Sequence, residues 1–273
     1  MKLNINYRVA PVYLLILLSV ACSKGGAGQT PPDKGNTVAL PRNTKNAEFD
    51  PSLKDGSALI LSVPADGDFY VGKEKFPLDQ LDSQISKLRQ GSTVSAPVYL
   101  AASDTIKYDT IIRVLQQLRR QKVSEIACMV DQPDDLGSGA RVFKVKIPPE
   151  ANEKDLRTLK PNPLTLRVSI ASDLKLKLNQ DDIGTVNDTQ PLSEWLLKIF
   201  KTRREQYAFN PERANNPNLT FEQRLEKIVF IKGDKSLRYG DVIRVIDAVH
   251  GARANPIVLQ IDDDMVYQDL THD

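Results

Sequence analysis

Histidine and cysteine are scarce in this 273-residue chain, with two of each, and the scarcity removes most catalytic chemistry. His250 falls near the end of a predicted helix, where a basic side chain suits the helix dipole, and His272 lies in the C-terminal tail. No Ser–His–Asp order, His-x-x-x-His spacing or paired cysteines occur, so nucleophilic and zinc chemistry lack their parts. Asp262-Asp263-Asp264 lacks the spaced oxygen ligands and central glycine of a calcium loop and reads as a solvated strand end. Gly137-Ser138-Gly139 opens no phosphate-binding helix and reads as a hinge, while Arg119-Arg120 and Arg203-Arg204 read as solvated helix faces. The expectation is a protein that is not an enzyme and uses no cofactor or metal.

Long apolar runs are also missing. The single extended one, Val9–Ala21, is interrupted by Pro11 and Ser19 and is shorter than the roughly 20 residues of a membrane-spanning helix. Lys2 and Arg8 precede it, and it ends in Ser19-Val20-Ala21-Cys22. Basic residues, a short apolar core and small residues make a secretory signal. A cysteine just after those small residues resembles the lipobox of bacterial lipoproteins, which implies that Cys22 is the lipid-anchored first residue of the mature chain. An uncleaved membrane anchor, or a cysteine placed there by chance, is the competing reading. Residues 23–36 carry almost no apolar side chains and read as a flexible spacer. With Cys22 acylated, Cys128 has no partner for a disulfide, and its place in Ile126–Val130 makes it a buried, inert thiol.

A strong charge of either sign is absent too. The formal net charge is +2, and a signal containing Lys2 and Arg8 takes that to zero (2 − 2). No basic excess remains to draw nucleic acid or an anionic membrane by charge. Charged residues at 26% and hydrophobic residues at 41% are globular values, so the chain past the spacer is expected to fold.

What the sequence does hold is a pattern made twice. Val98–Asp131 and Val229–Asp262 align without a gap at one offset (229 − 98 = 131), matching Tyr108 to Tyr239 and Ile112-Arg113-Val114 to Ile243-Arg244-Val245. Each copy reads as a short apolar strand, a turn, a helix with apolar residues at three- and four-residue steps, and a second strand. Upstream, a second offset (148 − 41 = 107) matches Leu59 to Leu166, Asp66 to Asp173 and Pro41 to Pro148. There each copy has an alternating segment ending in proline, Val38–Pro41 and Phe143–Pro148, expected to be one-faced strands. A hairpin comes next, Leu59–Val63 with Phe69–Val71 and Leu164–Ile170 with Leu174–Leu178. A first helix follows in each, marked by Leu78, Leu81, Ile85, Leu88 after Pro77 and by Leu192, Trp195, Leu196, Ile199, Phe200 after Pro191.

The fold class expected is therefore α+β: two tandem copies of a small mixed sheet with two helices on one face, in the order β-β-β-α-β-α-β. The boundaries are a signal at 1–21, a tether at 22–35, repeat one at 36–133, a linker at 134–140, repeat two at 141–265 and a tail at 266–273. Copy two carries extra residues (131 − 107 = 24), read as an inserted loop within 203–227 that includes Tyr207–Leu219. A repeat of this length implies two similar domains rather than one large fold.

Each copy resembles the periplasmic domain of the ExbD/TolR family, the partners of proton-driven motors in Gram-negative envelopes. The residues carrying the resemblance are Asp234–Tyr239 with Val242, Ile243, Val245 and Ile246, the hairpin Val168–Asn179 and the closing Ile257–Ile261. Copy one keeps the tyrosine as Tyr108 but has Ser103 in place of Asp234. The resemblance implies binding of an extended segment of another envelope protein, of the TonB or Tol type, and of peptidoglycan. The candidate partner-binding strands are then Val38, Leu40 and Pro41, with Val145, Ile147 and Pro148. It also implies pairing, as a homodimer or, with two fused copies, as an internal pseudo-dimer. One departure matters: Val9–Ala21 contains no acid, whereas a proton path through hydrocarbon needs a titratable group. The expectation is an envelope accessory protein facing the periplasm on a lipid anchor, without the motor helix. Alternatives are a structural lipoprotein on peptidoglycan and an uncleaved motor subunit.

Overall fold

The computed structural model describes residues 38–42, 44–53, 58–89, 98–132, 139–150 and 162–261. The signal, the tether with Cys22, most of the linker and the tail lie outside the described residues.

Two stretches each run through strand, strand, strand, helix, strand, helix and strand, the second with an extra short helix. The first holds β2 (Leu59–Ala65), β3 (Asp68–Val71), β4 (Glu74–Phe76), α1 (Leu81–Arg89), β5 (Val98–Ala102), α2 (Tyr108–Arg120) and β6 (Glu125–Gln132). The second holds β8 (Leu166–Ile170), β9 (Lys175–Leu178), β10 (Asp181–Thr185), α3 (Gln190–Glu205), α4 (Phe221–Arg224), β11 (Val229–Gly233), α5 (Tyr239–Gly251) and β12 (Ile257–Leu259). A short β1 (Glu48–Phe49) precedes the first, and β7 (Gly139–Lys146) stands between them.

These strands form one mixed sheet, in the order β10-β9-β8-β11-β12-β7-β6-β5-β2-β3-β4, with β1 paired to β7 beside that path. β2 runs parallel to β5 and β5 to β6; β8 runs parallel to β11 and β11 to β12. β7 is antiparallel to β6 along its whole length, from Glu125↔Lys146 to Gln132↔Gly139. On its other side it meets β12 at Val258↔Lys146 and β1 at Glu48↔Val142. The stretches are therefore not separate bodies. They share one sheet and one apolar core, in which Phe143 and Val145 of β7 lie with residues from both sides.

Residue periodicity explains the layers. Leu166, Val168 and Ile170 of β8 turn into that core, as do Leu176 and Leu178 of β9. Against them lie Ile111, Val114, Leu115 and Leu118 of α2 and Val242, Ile243, Val245 and Ile246 of α5, so the helices cover one side of the sheet. α3 buries Leu192, Leu196 and Phe200, but Trp195 faces solvent at 49% exposure, so it does not belong to the helix's apolar stripe.

Several expectations are corrected. Val38–Pro41 forms no strand. Val38 and Leu40 are buried in alternation with exposed Ala39, yet the segment crosses the sheet instead of joining its ladder. The three strands before the first helix of copy one are β2, β3 and β4, not Val38–Pro41 with a two-stranded hairpin, and α1 begins at Leu81 because Leu78–Gln80 is a 3₁₀ turn. β7 opens at Gly139.

The insertion is packed and not an open loop. Arg203 of α3 is buried and donates from Nη1 to the Glu226 carbonyl at 2.8 Å and from Nη2 to the Leu164 carbonyl. The Glu226 carboxylate accepts from Asn210 at 2.7 Å, Asn162 at 3.3 Å and the Ile228 amide at 3.1 Å. Tyr207, Phe209 and Phe221 meet edge to face outside this cluster. Buried polar groups with this many partners fix a single path for the chain.

Candidate functional site

Two places in the fold hold the residues that the sequence singles out. The first is the meeting of α2 and α5. Their first residues are Tyr108 and Tyr239, and the preceding turns lie side by side, with Lys107 bridged antiparallel to Arg238. The Tyr108 amide donates to the Leu237 carbonyl at 2.8 Å, and the Tyr239 amide to the Ile106 carbonyl at 2.7 Å. The Asp109 amide donates to Lys235 at 3.1 Å, and the Gly240 amide to Asp104 at 3.0 Å. Each bond is the other's counterpart at the same offset (239 − 108 and 237 − 106). The bonds also satisfy helix-start amides that have no partner within their own helices.

Both tyrosine rings are fully buried. Tyr108 lies against Gly233, where an added Cβ would stand 2.9 Å from its ring. Burial pushes both phenols above their usual range, and pushes the buried Cys128 thiol up to about 12. A thiol held protonated in this way is a poor nucleophile, as its apolar surroundings suggest. Asp234 sits in the turn before α5, where its carboxylate accepts from the Ser236 amide at 2.8 Å and its carbonyl from the Leu237 amide at 3.2 Å. Ser103 makes the corresponding turn: its carbonyl accepts from Ile106 at 3.2 Å and its hydroxyl meets Thr105 at 3.3 Å. Asp234 and Ser103 thus do the same local work, so their difference does not alter the turn.

The second place is the helix-free side of the sheet over β5, β6 and β7. Val38 and Leu40 pack there with Tyr99, Ala101, Ala127, Met129 and Val142. The Ala39 carbonyl accepts from the Asp104 amide, and the Pro41 carbonyl from the Asp131 amide, both at 2.9 Å. Arg42 pairs with Asp131 at 2.9 Å. Val145 and Ile147 lie in the core on the opposite side, so the two predicted binding segments are not brought together. Pro148 is buried, and the Ile147 amide donates to the Ser124 carbonyl at 2.9 Å. An outside peptide would meet Val145 only if β7 first left β6.

Sequence reasoning missed the residues that tie the chain down beyond Arg42. Asp247 of α5 accepts from the Lys45 and Asn46 amides at 2.9 and 2.8 Å. Asp50 is buried; burial raises its carboxyl, but bonds from Ser52 and Tyr99 outweigh that and hold it below the usual range. Asp50-Pro51-Ser52 was the available signal, an Asp accepting from an amide two residues on. Among the described residues, no group of three or more His, Cys, Asp and Glu side chains is placed to hold a metal, and no helix is long and apolar enough to cross a membrane.

The family model of biopolymer transport protein ExbD/TolR matches residues 13–132, from Tyr13 in the apolar run to the last residue of β6. No curated protein matches the chain.

Proposed function

We propose that this chain is an envelope accessory protein of an ExbD/TolR-type biopolymer transport system, a tandem duplicate whose two copies pair with each other. The observation that carries the pairing is the reciprocal seam, in which Tyr108 and Tyr239 exchange amide bonds with Ile106 and Leu237. The accessory role draws on the family match together with the lack of an acid in Val9–Ala21, so the chain binds partners and does not carry protons. It is held to a membrane by acylated Cys22, with the described domains in the periplasm.

Binding of an extended partner segment is proposed at the place filled by Val38–Pro41. Ordering these four residues costs about 1–2 kcal/mol each. Burying two aliphatic side chains returns about 1.5–3 kcal/mol each, and each backbone bond about 1 kcal/mol. The opposing sums are close, as an exchangeable segment requires. Peptide titration by NMR, on the mature chain and on a chain lacking residues 36–43, tests this. Tighter peptide binding without the segment is expected, and unchanged affinity overturns the exchange.

Light scattering on the purified chain tests the internal pairing, for which a monomer is expected and a stable dimer is the contrary result. Pull-down of motor proteins, set against sedimentation with purified peptidoglycan, separates a transport partner from a cell-wall tether. One observation favours a second reading. The family match begins inside the apolar run, at Tyr13, which suits an uncleaved membrane segment. The mass of the mature N-terminus decides: acylated Cys22 excludes that reading.

A further inference from the structure

The helix-free side of the sheet differs sharply between the two stretches. Over β5 and β6 it is apolar and covered by Val38 and Leu40. Over β8, β9 and β11 it is a groove of about 810 Å³ whose lining includes Arg167, Lys175, Lys177, Lys232 and Lys235. Asp173 and Asp234 are the acids in its lining, and Asp182 stands at its rim, 3.7 Å from Lys177. Lys175 is paired to Asp173 at 2.7 Å. The Nε and Nη1 of Arg167 are shielded from solvent and have no hydrogen-bond partner among the described residues.

Sheet register gathers these cations. Lys232 aligns with Ser169, and Ser169 with Lys177, so both lysines flank one serine across three strands. The corresponding positions in the first stretch are Ile60 for Arg167, Tyr70 for Lys177 and Ala101 for Lys232. One scaffold thus carries an apolar, self-covered face and a cationic one.

We infer that the cationic face docks on the anionic lipid headgroups of the membrane that anchors the chain. This rests on the lipid-anchored reading above. Val38, the first described residue, lies on this same side of the sheet. The 16 steps back to Cys22 (38 − 22) span at most about 55 Å. The tether therefore holds this side within reach of the bilayer, where each basic residue strengthens attraction about five-fold. The tether supplies the proximity that so modest an excess of charge needs.

The test uses the full lipidated chain in vesicles carrying quencher-labelled lipid. A dye is placed at Ser172→Cys in the groove or at Lys201→Cys on exposed α3; Cys128 is buried and unreactive. Strong quenching at position 172 and weak quenching at 201 are expected in vesicles rich in phosphatidylglycerol. The contrast should vanish in pure phosphatidylcholine, in about 0.5 M salt, and in the variant Arg167→Gln/Lys175→Gln/Lys177→Gln. The salt arm needs no variant to fold. Equal quenching at both positions, or a contrast indifferent to lipid charge, overturns the inference. So does a contrast that needs removal of the acidic residues 262–273, which would assign the groove to the chain's own end. So does tighter binding of soluble polyglutamate than of anionic vesicles, which would assign it to an acidic peptide. The mass of the N-terminus, taken on the same sample, reports separately whether the chain is held by Cys22 or by its uncleaved apolar segment.

Discussion

Gly233 closes β11 against the Tyr108 ring from the other stretch of the chain, and an alanine there has no room. The ring is fully buried and cannot swing aside, so Gly233→Ala should cost about 1–3 kcal/mol, read as a lower denaturant midpoint. Gly240 is a useful contrast. Its added Cβ would stand 1.7 Å from the Asp104 carboxylate, 2.6 Å from its Cγ and 3.2 Å from its carbonyl oxygen, while alanine favours a helix interior by up to about 1 kcal/mol. Gly240→Ala should therefore destabilise as well, with the helix preference of alanine offsetting only part of the clash at the seam. Comparing the two by urea titration separates a crowded tyrosine from a crowded seam.

The same small region governs the response to alkali. Burial keeps Cys128, Tyr108 and Tyr239 protonated in the folded protein at a pH where the unfolded chain has released those protons. Stability is then undiminished below the ordinary cysteine value of 9.0 and falls as pH rises above it. Each group adds a slope approaching about 1.4 kcal/mol per pH unit once its unfolded form ionises. Urea midpoints measured between about pH 7 and pH 11 should be flat and then drop steeply. A midpoint unchanged to the top of that range would contradict the burial of these three groups.

At the scale of elements, the insertion depends on one buried cation. Burial depresses the Arg203 guanidinium, which is held by carbonyl oxygens above a carboxylate that neighbouring amides satisfy. Arg203→Ala strips those acceptors and should cost about 3 kcal/mol. Limited proteolysis should then cut within 207–221 before it cuts elsewhere. If cleavage starts in the β8–β9 hairpin instead, Arg203 is not what holds the insertion.

Elements are also where the sequence was most and least legible. The strands and helices with long apolar repeats, β5, α2, β11 and α5, fall where the spacing predicts, because burial of one face dictates their residues. β4 and β10 escaped notice, being short and largely charged, as sheet edges tend to be. Val38–Pro41 misled for a different reason: alternation reports which side chains are buried, and says nothing of which amides pair. Trp195 was counted with the apolar stripe of α3 because a helix pattern cannot tell one flank from the next. The cationic groove could not be read at all, since Arg167, Lys177 and Lys232 converge only through the pairing of β9, β8 and β11.

For the whole molecule, a shared core has a thermodynamic consequence that the repeated sequence would not suggest. Since β7 belongs to both sides and the apolar cluster is continuous, the two stretches should unfold together. Calorimetry should give one transition whose van't Hoff and calorimetric enthalpies agree, and near- and far-ultraviolet dichroism should trace the same curve. Two resolved transitions would mean that β6 and β7 separate before either side melts.

The place of β7 also bears on how the chain matures. During synthesis the first stretch emerges with β6 still lacking its neighbour, which lies beyond residue 138. Lys107 must wait longer still, until Arg238 has left the ribosome. A nascent intermediate with an open strand edge and half of a seam is a natural client for holding chaperones, which shield such edges until the remainder arrives.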